Sequence, residues 1–248
     1  MSVSELSASS QNYLKVIWSL EEWSADAAST SAIADKLGVR TSTASDAIRR
    51  LVDQGLVDHT PYGGVHLTER GRRYAVEMIR RHRLIETLLV RVLDFTWDEV
   101  HDEADLLEHA VSDRFIERAD QVLGYPGRDP HGDPIPRADG TVERLDVVPL
   151  AALPPGTPAR VERIADHDSS LLQFFSTRGI TVGAVVETRP AEPYSETIGV
   201  VVRGRDGSTA LGSAALHAVW VKAESQPWPA SPSAADPARP SSDAAGTP

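Results

Sequence analysis

Apolar side chains recur at helical spacing through the first half of the chain and in alternating short runs through much of the second, and this change of period divides the sequence. Residues 10 to 23 predict an amphipathic helix with Ser10 as its N-cap. Ile33, Ala34 and Leu37 predict a short helix from Thr30 that breaks at Gly38. Ala44, Ile48, Leu51 and Val52 predict a second one from Thr41 or Ser42 to Gly55. Two short helices about a glycine-containing turn make a helix-turn-helix. Residues 56 to 68 then alternate around Tyr62-Gly63-Gly64 as a hairpin does, so the motif is winged.

Residues 70 to 93 predict a long helix with a dense apolar face, followed by helices near 100 to 109 and 112 to 123 and a proline-rich loop over 124 to 136. From Ala159 the texture becomes short strands at 159–164, 184–189, 198–204 and 218–221, with one helix near Ser169 to Thr177, as in a small β-barrel. The expected fold is therefore mainly α with a small β domain. Its parts are a winged helix-turn-helix over 1–73, a helical domain over 74–137, a linker over 138–157, a barrel over 158–223 and a disordered tail over 224–248. Apolar helix faces beyond the needs of a small core predict a homodimer.

The net charge of −11 argues against a nucleic-acid binder until it is located. Between Asp94 and Asp120 ten acidic residues face two arginines, whereas residues 1 to 75 are nearly balanced. In a helix-turn-helix the start of the second helix faces base edges, and here it carries Arg40, Thr41, Ser42, Thr43, Ser45 and Asp46, followed by Arg49 and Arg50. Hydroxyls suit phosphates and thymine methyls, arginine suits phosphate or guanine, and Asp46 can accept from cytosine. With Tyr62 at the wing tip, these residues form the expected contact surface for double-stranded DNA. No run is long enough to span a membrane and no signal peptide is present, so a soluble cytoplasmic protein is expected.

The acidic excess has a chemistry of its own. His101, Asp105, Glu108 and His109 fall at i, i+4, i+7 and i+8, which places four nitrogen and oxygen ligands on one helical stripe. His82 and Glu86 repeat the pairing one turn apart. The chain has no cysteine, and imidazole with carboxylate suits a divalent first-row metal. The motifs of catalytic zinc helices are absent. No separate nucleophile or general base accompanies the ligands, and a shell saturated by protein groups suits sensing rather than catalysis. A metalloenzyme with a DNA module and a regulator responding to an organic ligand are the weaker alternatives, and no organic substrate is expected.

Tyr13-Leu14 with Ile17, Arg81-His82-Arg83-Leu84 with Glu86, Val100-His-Asp-Glu-Ala with Glu108-His109, and Gly132-Asp-Pro-Ile-Pro136 occur in an order that resembles the diphtheria-toxin-repressor family of metal-dependent transcriptional regulators. The resemblance covers roughly residues 8 to 222, and Leu153-Pro-Pro-Gly with Arg160-Val-Glu-Arg-Ile164 resembles the SH3-like (FeoA-like) domain of its longer members. It implies a primary metal site of Asn12, Asp105, Glu108 and His109, and an ancillary site of His82, Glu86, His101 and a barrel residue at Asp168. Iron-type members have Met where Asn12 stands and Cys where Asp105 stands, so the chain resembles the manganese-responsive type. Shorter manganese regulators lack the barrel and have Glu where this chain has Lys15, and Leu171 replaces a polar barrel ligand. The resemblance implies a dimeric repressor of metal-homeostasis genes activated by Mn(2+), with an Fe(2+)-dependent repressor as the alternative.

Overall fold

In the computed structural model, residues 3–23, 28–60, 64–192 and 194–224 are described. The head comprises α1 (Ala8–Trp23), α2 (Thr30–Lys36), α3 (Thr41–Asp53) and the antiparallel wing of β1 (Val57–His59) and β2 (Val65–Leu67). Leu14, Ile17, Ile33, Ile48 and Leu56 are fully buried between these elements. α1 begins before the expected cap, because Ser7 rather than Ser10 fills that role: the Ser10 amide donates to Ser7 Oγ at 3.2 Å. Tyr62 lies outside the described residues, as does the tail over 225–248.

α4 (Glu69–Leu93) runs unbroken from the head core, where it buries Tyr74 and Met78, into a second core where it buries Leu84, Ile85 and Leu89. The expected boundary at 73/74 therefore falls inside one helix. α5 (Val100–Leu107) and α6 (Asp113–Val122) complete the second core with Val100, Ala104 and Ile116. Val92, Leu93, Leu106, Phe115 and Val122 remain exposed on this helical domain.

The C-terminal domain is a six-stranded antiparallel sheet in the order β3-β8-β4-β5-β6-β7. Its strands are β3 (Val148–Pro149), β4 (Ala159–Ile164), β5 (Val185–Thr188), β6 (Thr197–Val202), β7 (Thr209–Gly212) and β8 (Val219–Ala223). α7 (Ser169–Arg178) and α8 (Ser213–His217) close it over Phe175, Leu172 and Val221. The segment expected as linker is partly barrel, since β3 pairs with β8 and Leu150 is buried in the same core. Two residues of strand and a three-residue turn are too short to show a period. Among the described residues no helix is long and apolar enough to cross a membrane.

Candidate metal centre and DNA face

The centre is assembled by α4. His82 and Glu86 lie one turn apart and point the same way, both buried, with His82 Nε2 2.9 Å from Glu86 Oε1. α5 brings His101, whose Nδ1 is 3.4 Å from both Glu86 Oε1 and Asp166 Oδ2. Asp166 follows β4, so the barrel does contribute a carboxylate, but from a different residue than expected. Asp168 is instead the N-cap of α7, its Oδ1 accepting from the Leu171 amide at 3.0 Å. Its capping bond turns it away from the histidines.

A third group of ligands comes from the loop that reads as merely proline-rich. Asp129 Oδ1 accepts from the amides of His131 and Asp133 at 2.9 Å each, which folds the loop into a tight turn. The turn docks on β4: the Ile164 amide donates to the His131 carbonyl at 2.9 Å. Gly132, at φ +91°, passes so close that a Cβ would sit 2.0 Å from the Glu162 carbonyl oxygen. Only glycine permits this approach, and it buries His131 beside Glu86. His131 Nε2 donates to the Trp97 carbonyl at 2.7 Å, which leaves Nδ1 as the nitrogen facing Glu86, 3.8 Å from Oε2.

Ligand atoms of His82, Glu86, His101 and Asp166 all lie within 4.8 Å of one another, as do those of Glu86, Asp129 and His131, and a third such group is formed by His82, Asp105 and Glu108. Glu86 Oε2, Asp129 Oδ2 and His131 Nδ1 are buried without a hydrogen-bond partner. Buried polar atoms are normally hydrogen-bonded, and these have only longer ionic neighbours, His131 Nδ1 3.8 Å from Glu86 Oε2 and Arg83 Nε 3.7 Å from Asp129 Oδ2, so a cation among them would satisfy what those pairs do not. The donor set, imidazole and carboxylate around a shared Glu86, fits a divalent metal.

Electrostatics agree. Burial disfavours charge on the imidazoles, yet Asp166 and Glu86 push His101 up to about 9, and Glu86 with Asp129 pushes His131 up to about 10. Burial and the charges of Asp133 and Glu86 raise Asp129 well above the usual carboxylate range. Protons therefore stand where positive charge is needed, and a metal must displace them. Because both imidazole values are raised, affinity for a divalent metal is expected to climb with pH up to about 10 and to fall on acidification, with protons released on binding. Calorimetric titrations in buffers of different ionisation enthalpy measure that release.

The residues expected as a primary site are arranged differently. α5 ends at Leu107, so the expected four-residue stripe is not one helical face: Glu108 is the C-cap and His109 lies in the following turn. His109 Nδ1 donates to Gln11 Oε1 at 2.6 Å, and Asn12, the next residue of α1, is half-buried. Between Asp105 and Glu108 stands Lys15 of α1, its Nζ donating to Asp105 Oδ1 at 2.6 Å and to Glu108 Oε1 at 2.7 Å. Burial opposes its charge, but Glu108 and Asp105 outweigh burial and raise its pKa. His82 joins the two clusters, because Nδ1 reaches Glu108 Oε2 at 2.7 Å and Asp105 Oδ1 at 3.1 Å while Nε2 faces Glu86.

A buried ionic knot lies beside the metal centre. Arg83, next to His82 on α4, donates to Glu22 Oε2 at 2.7 Å, to the Pro134 carbonyl at 2.7 Å and to Asp133 Oδ1 at 3.1 Å. Asp133 also accepts from Arg163 Nε at 2.8 Å, and the Arg163 guanidinium lies 4.0 Å from the ring centre of Trp23 and 4.2 Å from that of Trp220. A register shift between Val161 and Arg163 in β4 re-aims the strand here.

On the head, α3 presents the expected DNA face. Arg40, Thr41, Ser42, Thr43, Asp46, Arg49 and Arg50 are exposed and Ser45 is half-buried. Arg40 occupies the N-cap position with no side-chain capping bond, so Thr41 and Ser42 are not spent as caps. Asp46 pairs with Arg49 at 3.3 Å.

A winged helix joined through a buried metal-ligand cluster to a dimerisation-type helical domain defines a metal-dependent DNA-binding regulator. Residues 5–65 match the iron-dependent repressor N-terminal DNA-binding domain, 68–137 the iron-dependent repressor metal-binding and dimerisation domain, and 148–223 the FeoA domain. The chain belongs to the iron-dependent repressor family, whose members are metal-dependent transcriptional repressors and not enzymes. The iron-dependent repressor IdeR of Mycobacterium tuberculosis is 32% identical over 237 residues, covering 89% of this chain and 99% of its own length. The diphtheria toxin repressor of Corynebacterium diphtheriae is 34% identical over 167 residues, covering 67% of this chain and 70% of its own. Among solved structures, a manganese-dependent transcriptional repressor in complex with manganese is 48% identical with a TM-score of 0.82, covering 87% of this chain and 100% of that one. The manganese regulator SloR is 29% identical with a TM-score of 0.74, covering 87% and 98%.

Proposed function

We propose that the chain is a manganese-activated repressor that binds double-stranded operator DNA as a homodimer in the cytoplasm and controls metal-homeostasis genes. The observation that carries this reading is the convergence of the unpartnered Glu86 Oε2, Asp129 Oδ2 and His131 Nδ1 beside His82, His101 and Asp166. These residues would hold the ion, which would supply the positive charge that the carboxylates demand. The complete lack of thiolates favours manganese over softer-ligand metals, and ferrous iron, which takes the same donors, is its main competitor. The exposed Val92, Leu93, Leu106, Phe115 and Val122 support a second copy packed on the helical domain. Two copies would present two α3 helices to successive major-groove half-sites. Metal and DNA then tighten one another reciprocally.

The test is operator affinity in chelator and in excess manganese, ferrous iron or zinc. Manganese is expected to tighten binding, and equal affinity with and without it would overturn the reading. In the same assay Arg40→Ala and Thr43→Ala should each weaken operator binding by about tenfold, the scale of a lost base or phosphate contact, with manganese affinity unchanged. If Arg40 contacts phosphate, its removal should also lower the salt slope by about 1.

A further inference from the structure

We propose that Lys15 is a built-in cation that has replaced the metal at the junction of α1 and α5, so that Asp105 and Glu108 hold an ammonium group rather than an ion and act as positioning residues for His82. The inference rests on the reading of the Glu86 centre as the metal site and adds that the chain's other acidic cluster is not one.

The geometry points this way on three counts. Lys15 Nζ makes two short charge-assisted bonds, to Asp105 and to Glu108, in a pocket where its side chain is 12% exposed and that of Glu108 is 0% exposed. A divalent ion placed there would need to expel the ammonium group or tolerate it at contact distance. The Gln11 amide of α1 is also committed elsewhere: its Oε1 is bonded to His109 Nδ1 and its Nε2 to the carbonyls of Val3 and Leu6. Finally, Glu108 Oε2 takes the Nδ1 proton of His82, so Nε2, which faces Glu86, is the nitrogen that would give up its proton to a metal. A carboxylate behind a ligating histidine is a recurring way to orient it. Lys15 leaves Glu108 charged and in place for that task without an ion beside it. It also ties the head to the helical domain whether or not metal is bound.

The test counts manganese ions bound per chain on the full-length protein, by equilibrium dialysis at saturating manganese followed by elemental analysis. Asp105→Ala is expected to keep the wild-type number of ions. Lys15→Glu, and also Lys15→Gln, should gain one ion per chain, and Asp105→Ala added to either should remove the gained ion. Loss of an ion from the single Asp105→Ala variant would overturn the proposal. So would the absence of any gain in both Lys15 variants when circular dichroism and dimer size show them folded. Should the Lys15 variants fail to fold, the Asp105→Ala count alone still decides. Glu86→Gln in the same assay addresses the Glu86 centre separately: if it removes no ion, that site assignment falls whatever the Lys15 variants do.

Discussion

Glu86→Gln is expected to abolish metal-dependent operator binding while leaving the head able to fold. Glu86 is shared by two of the three ligand groups, fully buried, with Oε1 facing His82 and His101 and Oε2 facing His131. Glutamine keeps its volume and removes its charge, so Asp129 and Asp166 alone would have to balance a divalent ion. Even outer-shell partners of a metal site cost roughly 10- to 100-fold when removed, and a shared inner ligand should cost at least about 100-fold in manganese affinity. Manganese titration of both proteins, followed by operator binding, checks this. A variant that switches at the wild-type manganese concentration would move the regulatory ion elsewhere.

The second large effect concerns stability. Arg83→Met should destabilise the protein by about 3–5 kcal/mol, the usual consequence of removing one member of a buried ionic group. Burial opposes the guanidinium charge, but Asp133 and Glu22 hold its pKa above the ordinary value, so their negative charges depend on it. Without Arg83, Glu22 loses the guanidinium that neutralises it, and Asp133 keeps only Arg163. A fall in Tm on the order of 10 °C is expected for a chain of this size, read by thermal unfolding with chelator present so that metal binding does not mask it.

Much of this architecture was legible because its signals are periodic. α3, α4, β4 and α7 lie within a residue or two of where their patterns predict them, since each is long enough to repeat an apolar face. The wing was read from alternation around a glycine turn, although Tyr62 at its tip is outside the described residues. What escaped has no period. Asp129 and His131 are separated by a single proline in an irregular loop, and what makes them ligands is Gly132 lying against β4, a tertiary contact no spacing rule encodes. Asp166 and Asp168 are two residues apart after a strand. Only the start of α7 decides that one caps the helix and the other faces His101. The stripe from His101 to His109 presumed a helix two residues longer than α5 proved to be, so Glu108 kept its place at the C-cap while His109 turned toward Gln11. Lys15 could be read as a departure from the family pattern. Its partners became visible only when α1 met α5.

Arg163 carries a consequence for how the three recognisable modules behave. It rises from the barrel, packs against both Trp220 of the barrel and Trp23 at the end of the first head helix, and binds Asp133, which in turn binds Arg83 of the helical domain. Each module thus finishes its interior with side chains owned by another. The borders drawn by sequence similarity, at which a gene could be cut and rejoined, are not borders in free energy. Excising the barrel would strip Trp23 of both the cation and the indole packed against it and leave Asp133 leaning on Arg83 alone, so cohesion is held in common.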